Sequence, residues 1–291
     1  MRRLADALGV GLAWTASLSL VAGVLVLVGL LAWRGGSTLG PELLFGDAPA
    51  WAALPGQARG VDGSWPAVAG TLALVGLAAA FAVPLGVASG IYLAAYARPR
   101  TRRWLDVGID VLAGVPSVVM GLFGFAMILL LRRTVAPDAT TGLILAAACI
   151  ALLVLPYLVR TTQVALASLP DELRLVGPVL GLTRWQTLRH VLLPAAGRGI
   201  LGGVMLAVGR AAEDTAVIML TGAVWNAGLP SGLTERFEAL PFRIYVTAAE
   251  YRTDDELARG FGCTLVLLLL TTALLVFSWG LQRHLEYRWR R

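Results

Sequence analysis

Three ionisable residues stand inside the run LAVGRAAEDTAVIMLTGA (206–223): Arg210, Glu213 and Asp214. The rest of the run is apolar, small or threonine. On a continuous helix the three fall within an arc of about 100°, and Arg210 and Glu213, three apart, can touch. A guanidinium presents a planar fork that matches the oxygens of an oxyanion. A neighbouring carboxylate can accept a hydrogen bond from a protonated oxyanion and keeps the arginine from holding it too tightly. The chemistry implied is a polar station on an anion path. A second reading stays open, in which Arg210 and Glu213 neutralise each other and merely fix helix packing. It leaves Asp214 without a partner, and buried ion pairs are poor stability devices.

What such charges cost depends on what surrounds them. The chain has 291 residues, of which 57% are hydrophobic and 14% charged, and its mean hydropathy is +0.75. Soluble domains carry roughly 25% charged residues, so a polytopic membrane protein is expected. All 24 basic residues are arginine. Without lysine there is no Walker A phosphate loop and no Schiff base, so any ATP that drives this chain is bound and hydrolysed by another. No catalytic and no metal-ligating residues are expected. Cys149 and Cys263 lie singly in apolar runs and read as small buried residues. His190 and His284 lie beside basic segments and read as surface residues. The pI of 10.0 does not point to nucleic acid, because the arginines cluster at the ends of hydrophobic runs.

Six runs reach the roughly 20 residues that a membrane-crossing helix needs: 11–33, 67–96, 107–131, 142–166, 198–223 and 257–281. The first is too long for a signal-peptide core and lacks a small-x-small cleavage site. With the N-terminus inside, 15 arginines fall on the inner side and 8 on the outer, with Arg210 between them. That bias places both termini in the cytoplasm. Arg210 then lies about 18 Å along its helix from Arg198, near mid-bilayer. There each charge costs about 2.5–3.5 kcal/mol if it meets lipid. Gly70, Gly76, Gly86 and Gly90 predict close helix approach in the second span, where Pro84 predicts a bend. Pro116, with Gly114, Gly121 and Gly124, predicts a broken or kinked third span. Such breaks are tolerated where backbone is buried in protein or lines a wet cavity.

Two outer connections, 34–66 and 224–256, are too long for simple turns. The second carries Trp225, Phe237, Phe242 and Tyr245 and the acidic run 254–256, and is expected to fold against a partner or against the first. A floppy loop is the alternative for 34–66. The inner connection 160–200 reads as a short helix, a turn at 181–183 and a second short helix ending at Pro194. Leu173, Val176 and Leu180 recur at helical spacing, as do Trp185, Leu188 and Leu192. Two readings fit: a knob that inserts into a groove on a soluble partner, or an amphipathic hairpin lying on the membrane lipid.

Gly181, nine residues, then Val191-Leu192-Leu193-Pro194 resembles the cytoplasmic loop E-A-A-x3-G-x9-I-x-L-P of binding-protein-dependent ABC importer permeases. Leu175, Val176 and Gly177 stand where E-A-A is expected, and Pro178 follows. VPLGVASGIYLAAYA (83–97), GVPSVVMGLFGF (114–125), LPYLVRTTQVAL (155–166), LGLTRWQTLRHVLLPAA (180–196), GRAAEDTAVIMLTGA (209–223) and LPFRIYVTAAEY (240–251) are similar to the phosphate-specific branch of that family. The long loop before the last helix favours one of its two paired permease types. The resemblance covers residues 65–281. It implies an all-α, six-helix membrane protein with the type I ABC importer permease fold, in a bacterial inner membrane. It further implies a second permease subunit as a heterodimer partner, ATPase subunits that dock on the 160–200 loop, and an extracytoplasmic phosphate-binding protein. It carries a transport role onto Arg210 and Glu213, and a basic family position onto Arg160. Arg160 also reads simply as a topology-setting arginine at the membrane border. The expected organisation is an N-terminal helix and outer loop (1–64), the permease domain (65–281) and a basic tail (282–291). Three rivals remain: a permease for sulfate or molybdate, a membrane-embedded enzyme, and a non-transporting assembly subunit.

Overall fold

The computed structural model describes residues 2–46, 63–230 and 232–289. The expectations for most of the 34–66 loop and for Arg290 and Arg291 fall outside these residues, and the side chain of His284 is likewise outside the description. Among the described residues twelve α-helices succeed one another: α1 (Arg2–Gly36), α2 (Pro41–Phe45), α3 (Trp65–Ala95), α4 (Pro99–Ala113), α5 (Ser117–Thr134), α6 (Leu143–Ala167), α7 (Asp171–Val179), α8 (Arg184–Thr187), α9 (Leu193–Glu213), α10 (Ala216–Thr221), α11 (Leu240–Glu250) and α12 (Asp254–Trp289). A π-helical turn, Leu188–Leu192, joins α8 to α9. Among the described residues six stretches are long and apolar enough to cross a bilayer: Gly9–Gly36, Trp65–Ala95, Ser117–Thr134, Leu143–Ala167, Arg184–Glu213 and Asp254–Gly280.

Two of the expected spans are divided. The run 107–131 is broken rather than kinked, one of the two outcomes expected of it, and only its second part, Ser117–Thr134, is long and apolar enough to cross a bilayer. It is divided into α4 and α5 by Gly114, Val115 and Pro116, because the proline disfavours helical backbone in the residue before it. The run 198–223 is not continuous either. It ends at Glu213, and α10 follows as a separate helix. The second helix of the inner loop also does not stop at Pro194. The π-turn carries it into α9, with Pro194 at the second residue of that helix.

α6 is the hub. Its buried residues Ile150, Val154, Leu158 and Thr162 recur every four positions. They face a matching ridge on α3, formed by Ala78, Ala82, Gly86 and Gly90. Small residues let the two backbones approach. A Cβ on Gly86 would fall 2.6 Å from that of Leu158, and one on Gly90 would fall 2.6 Å from that of Thr162. With no hydrophobic drive between helices in lipid, such close van der Waals contact is what holds them together. Pro84 and Pro156 stand inside α3 and α6 without ending either helix. α1 is unburied over its membrane-crossing stretch and meets the rest near its end, where Gly35 packs against Phe261. Cys149 and Cys263 are buried and unbridged.

The loop after α10 is folded onto the bundle. Leu143 and Ile144 donate their N–H groups to the carbonyls of Glu235 and Leu233, satisfying the free amino end of α6. Phe237 is fully buried in the main core, and the Thr71 hydroxyl accepts the Leu240 N–H at 2.9 Å. Beyond this loop the acidic run 254–256 forms the first turn of α12, where negative charge meets the positive end of the helix dipole. Within the loop Glu238 is buried. It accepts from the Gly228 N–H at 3.0 Å and from Arg243 at 3.1 Å, and the Arg243 guanidinium lies 4.8 Å over the Trp225 ring. Burial pushes the Glu238 carboxyl above its ordinary value of 4.5, while the Gly228 N–H and the Arg243 guanidinium pull it back.

Two outcomes follow. Gly90→Val is expected to cost about 1–3 kcal/mol by overpacking, read as a lower thermal midpoint in detergent. Gly76→Val, whose new Cβ meets nothing within 4 Å, should leave that midpoint unchanged. A raised folded-state pKa gives Glu238 a stabilising contribution that is complete below pH 4.5 and fades as pH rises through the raised value. Stability measured against pH should therefore show wild type gaining on Glu238→Gln as the solution is acidified from neutral; parallel profiles would rule this out.

Candidate functional site

The first group of candidate residues sits where α9 stops. Asp214 leaves the helix with extended backbone (φ −73°, ψ 124°). Its Oδ1 accepts the Val217 N–H at 2.9 Å, so the side chain caps α10 by satisfying one of its free donors. Its Oδ2 lies 3.6 Å from Arg210 Nη2, with the aspartate side chain 2% exposed and the arginine 44%. The partner of Arg210 is therefore Asp214 and not Glu213. The two stand four apart, a spacing that brings side chains together on a helix, and the break at 214 leaves the same carboxylate free to accept the Val217 N–H as well. Glu213 is exposed and makes no ion pair among the described residues.

The depth of this group follows from its neighbours. Ala207 and Ala211 flank a void of about 10 Å³ opposite Val154 and Leu158, midway along α6. The void is apolar and scarcely large enough for one water, and none of the three charged residues lines it. Arg210 and Glu213 are instead exposed on the surface of the chain, beside the α9 residues that lie opposite the middle of α6. The break also has a packed neighbour. A Cβ on Gly121 of α5 would lie 3.0 Å from the Ala216 carbonyl, so the start of α10 rests on the half-helix that follows the other break.

The second group surrounds Arg160, and sequence reasoning missed its partners. Arg160 donates from Nη1 to Asp106 at 2.9 Å and to Gln163 Oε1 at 3.0 Å. It donates from Nη2 to Asp110 and to the Asp106 carbonyl, and from Nε to Asp110 at 3.2 Å. Gln163 in turn donates to Asp106 at 3.0 Å. The signal was present as two aspartates four apart in a segment flanked by arginines, Arg100, Arg102 and Arg103. Its meaning required α4 to be a separate helix lying against α6. The structure does not bring Arg160 together with Arg210.

The third group is the 168–193 connection. Gly177 is buried because a Cβ there would collide with the Thr187 hydroxyl, which lets α7 and α8 close on each other. Gly181 turns the chain with φ +69°, a conformation that favours glycine. Thr183 and Gln186 cap α8 reciprocally. Leu188, Leu192 and Leu193 pack against Ala165 and Leu166 of α6, and Arg174 donates to the Leu166 carbonyl at 2.8 Å. Val176, Val191 and Pro194 are half-buried. Leu175, Val179, Leu180 and Trp185 are exposed, so the unit presents an apolar knob while its other side grips α6. His190 is exposed.

These environments separate two neighbouring carboxylates by experiment. Asp214→Ala removes a cap and should cost about 1–2 kcal/mol of stability. Glu213→Gln should leave the thermal midpoint unchanged, since that side chain is exposed and unpaired; equal shifts for the two variants would contradict the assignment.

Residues 82–291 match the family model described as "Binding-protein-dependent transport system inner membrane component". The chain is 34% identical over 229 residues to the phosphate transport system permease protein PstA 1 of Mycobacterium tuberculosis, covering 76% of this chain and 70% of that one. It is 34% identical over 208 residues to PstA of Haemophilus influenzae, covering 70% of each. Among solved structures, a bacterial alginate ABC transporter in complex with an alginate-bound periplasmic protein superposes on it with a TM-score of 0.66, at 13% identity, over 94% of this chain and 95% of that one. That likeness shows the fold, an all-α ABC importer permease of type I with six membrane helices. The chain belongs to the binding-protein-dependent transport system inner membrane components.

Proposed function

We propose that this chain is a permease subunit of an ATP-driven phosphate importer and supplies half of the transmembrane route for inorganic phosphate. One observation carries the reading. Arg210 and the unpaired Glu213 sit at mid-depth on the outer surface of a single chain. Facing lipid, each would cost about 2.5–3.5 kcal/mol. Facing a second permease chain across a wet cleft, they cost far less and meet the solute. The chain therefore makes half of a site, and the partner makes the other half. Similarity to phosphate permeases supports inorganic phosphate as the solute.

In this reading Arg210 meets the phosphate oxygens through its planar fork. Glu213 accepts a hydrogen bond from the protonated oxygen of the monoanion and limits how tightly the arginine holds it. Asp214 fixes the arginine from below. The exposed knob of Leu175, Val179, Leu180 and Trp185 docks on an ATPase subunit, and the grip of Leu188, Leu193 and Arg174 on α6 carries that subunit's movement to the helix bundle. The chain has no cofactor of its own; ATP belongs to the partner. A phosphate-loaded binding protein delivers the solute from outside. The arginine bias supports cytoplasmic termini in the inner membrane.

The test is uptake by assembled transporter in proteoliposomes. Arg210→Gln should lower phosphate uptake about 10–100-fold, the loss expected for one charged hydrogen-bonding partner. Wild-type uptake by that variant would reject the role. Competition by sulfate equal to that by phosphate would reassign the solute to another oxyanion.

A further inference from the structure

Arg160 already holds what an anion would offer it. Its Nη1 and Nη2 groups each meet an aspartate carboxylate, from Asp106 and Asp110 respectively. These two carboxylates stand one turn apart on α4 and occupy the donors that a tetrahedral oxyanion would take. The helix that carries them is otherwise lightly held. No residue of α4 is fully buried. It is flanked by non-helical chain on both sides, at 96–98 and at 114–116. It meets α6 through the polar cluster, and its Leu112 packs partly against the main core.

Two details give the cluster a second arrangement. Asp106 stands between two arginines, with Oδ1 2.9 Å from Arg160 and Oδ2 3.7 Å from Arg102 of its own helix. If Arg160 is taken by another anion, Asp106 keeps a cationic partner. Asp110 is 66% exposed, and both aspartates border an open groove with Arg102 and Arg103, so water can take over what Arg160 gives up. The exchange needs no charge to be left bare in a dry place, which is the usual cost of opening a buried pair.

We infer that Asp106 and Asp110 are positioning residues that act as an internal stand-in for the transported oxyanion. They occupy Arg160 while the route is empty and fasten α4 to α6. They yield the arginine to an arriving anion, and α4 is thereby released. The latch makes the movement of α4 depend on solute, and so couples the ATPase to its presence. The inference rests on the permease reading above.

The experiment uses the complete transporter in proteoliposomes with its binding protein and compares wild type, Asp110→Asn, the double variant Asp106→Asn/Asp110→Asn, and the conservative double variant Asp106→Glu/Asp110→Glu. ATP hydrolysis is measured with and without phosphate, beside phosphate uptake and the thermal midpoint. The double asparagine variant should hydrolyse ATP without phosphate at least about fivefold faster than wild type, within the usual range of coupling between sites. Its phosphate taken up per ATP should fall. Asp110→Asn should show the same change more weakly, and the glutamate variant should return towards wild type. Unchanged phosphate-free hydrolysis overturns the latch. So does a parallel fall of hydrolysis and uptake that follows a lowered thermal midpoint, the result expected if the cluster were only structural. If wild type itself takes up no phosphate, the permease reading fails first; if it does and the variants remain coupled, only the latch fails.

Discussion

A charge or an unpaired backbone group at the middle of a bilayer must be enclosed by something other than lipid, and most of this architecture answers that constraint. Each hydrocarbon-exposed polar group costs several kcal/mol, comparable to the whole stability margin of a folded domain. The chain meets the cost in three ways. It pairs the charge internally, as Asp214 does with Arg210. It saturates it, as two aspartates and Gln163 do for Arg160. Or it leaves the charge exposed, as with Glu213, on a face that a second permease chain would enclose in the function proposed above.

The two helix breaks obey the same rule. At Pro116 and at Asp214 the backbone leaves helical geometry, and each break frees N–H groups at the start of the helix that follows. At the second break the Asp214 carboxylate takes one of these groups. The two new helices, α5 and α10, then lie against each other through the small surface of Gly121. A kink would have strained one helix, whereas paired breaks give two short rods joined by extended residues. The α6 helix, by contrast, has its N-terminal groups met by loop carbonyls and its flank met by α3 ridge on ridge. The bundle thus has a tightly packed centre and jointed elements at its edge, where Arg210 and Arg160 both find their partners.

Much of this was legible in the sequence. The number of membrane-crossing stretches and the close approach at Gly86 and Gly90 of α3 read correctly, because each is a local signal; Gly76, expected at the same seam, meets nothing within 4 Å, and Gly70 meets the loop at Glu238 instead of a helix. What failed depended on a backbone event that periodicity cannot see. The arc drawn through Arg210, Glu213 and Asp214 assumed unbroken helix, yet the aspartate in that run is itself the residue that ends it. A carboxylate placed two or three residues before a short helix competes for the helix N–H groups, and nothing in hydropathy reveals that it wins. Asp106 and Asp110 were passed over for a related reason. Nothing in the local pattern singles them out while they stand at the edge of the run 107–131. Set on a separate helix by Pro116, they become ligands of a side chain 50 residues away. The buried Phe237 was noted only as one aromatic among several, since its burial depends on contacts with α3 and α6 that no local pattern encodes.

The two arginines differ in how far their donors are already spent. Arg160 is met by two carboxylates and an amide at hydrogen-bonding distance, a strong local hold in a half-wet setting. Arg210 has one carboxylate at 3.6 Å, longer than a good charge-assisted hydrogen bond, and that carboxylate is already committed to capping α10. The guanidinium at mid-depth therefore keeps unused donors, while the one nearer the α7–α8 unit does not. On the proposed route, an anion moving from one to the other would pass from an arginine with spare donors to one that must first be relieved of its aspartates. Such an ordering would give the route a direction: the first station would bind from charge alone, and the second only if the helix bearing its competitors moved. Because α6 carries Arg160 and is also gripped by the loop that ends in Pro194, the proposed anion contact and the proposed ATPase-docking loop share one rod.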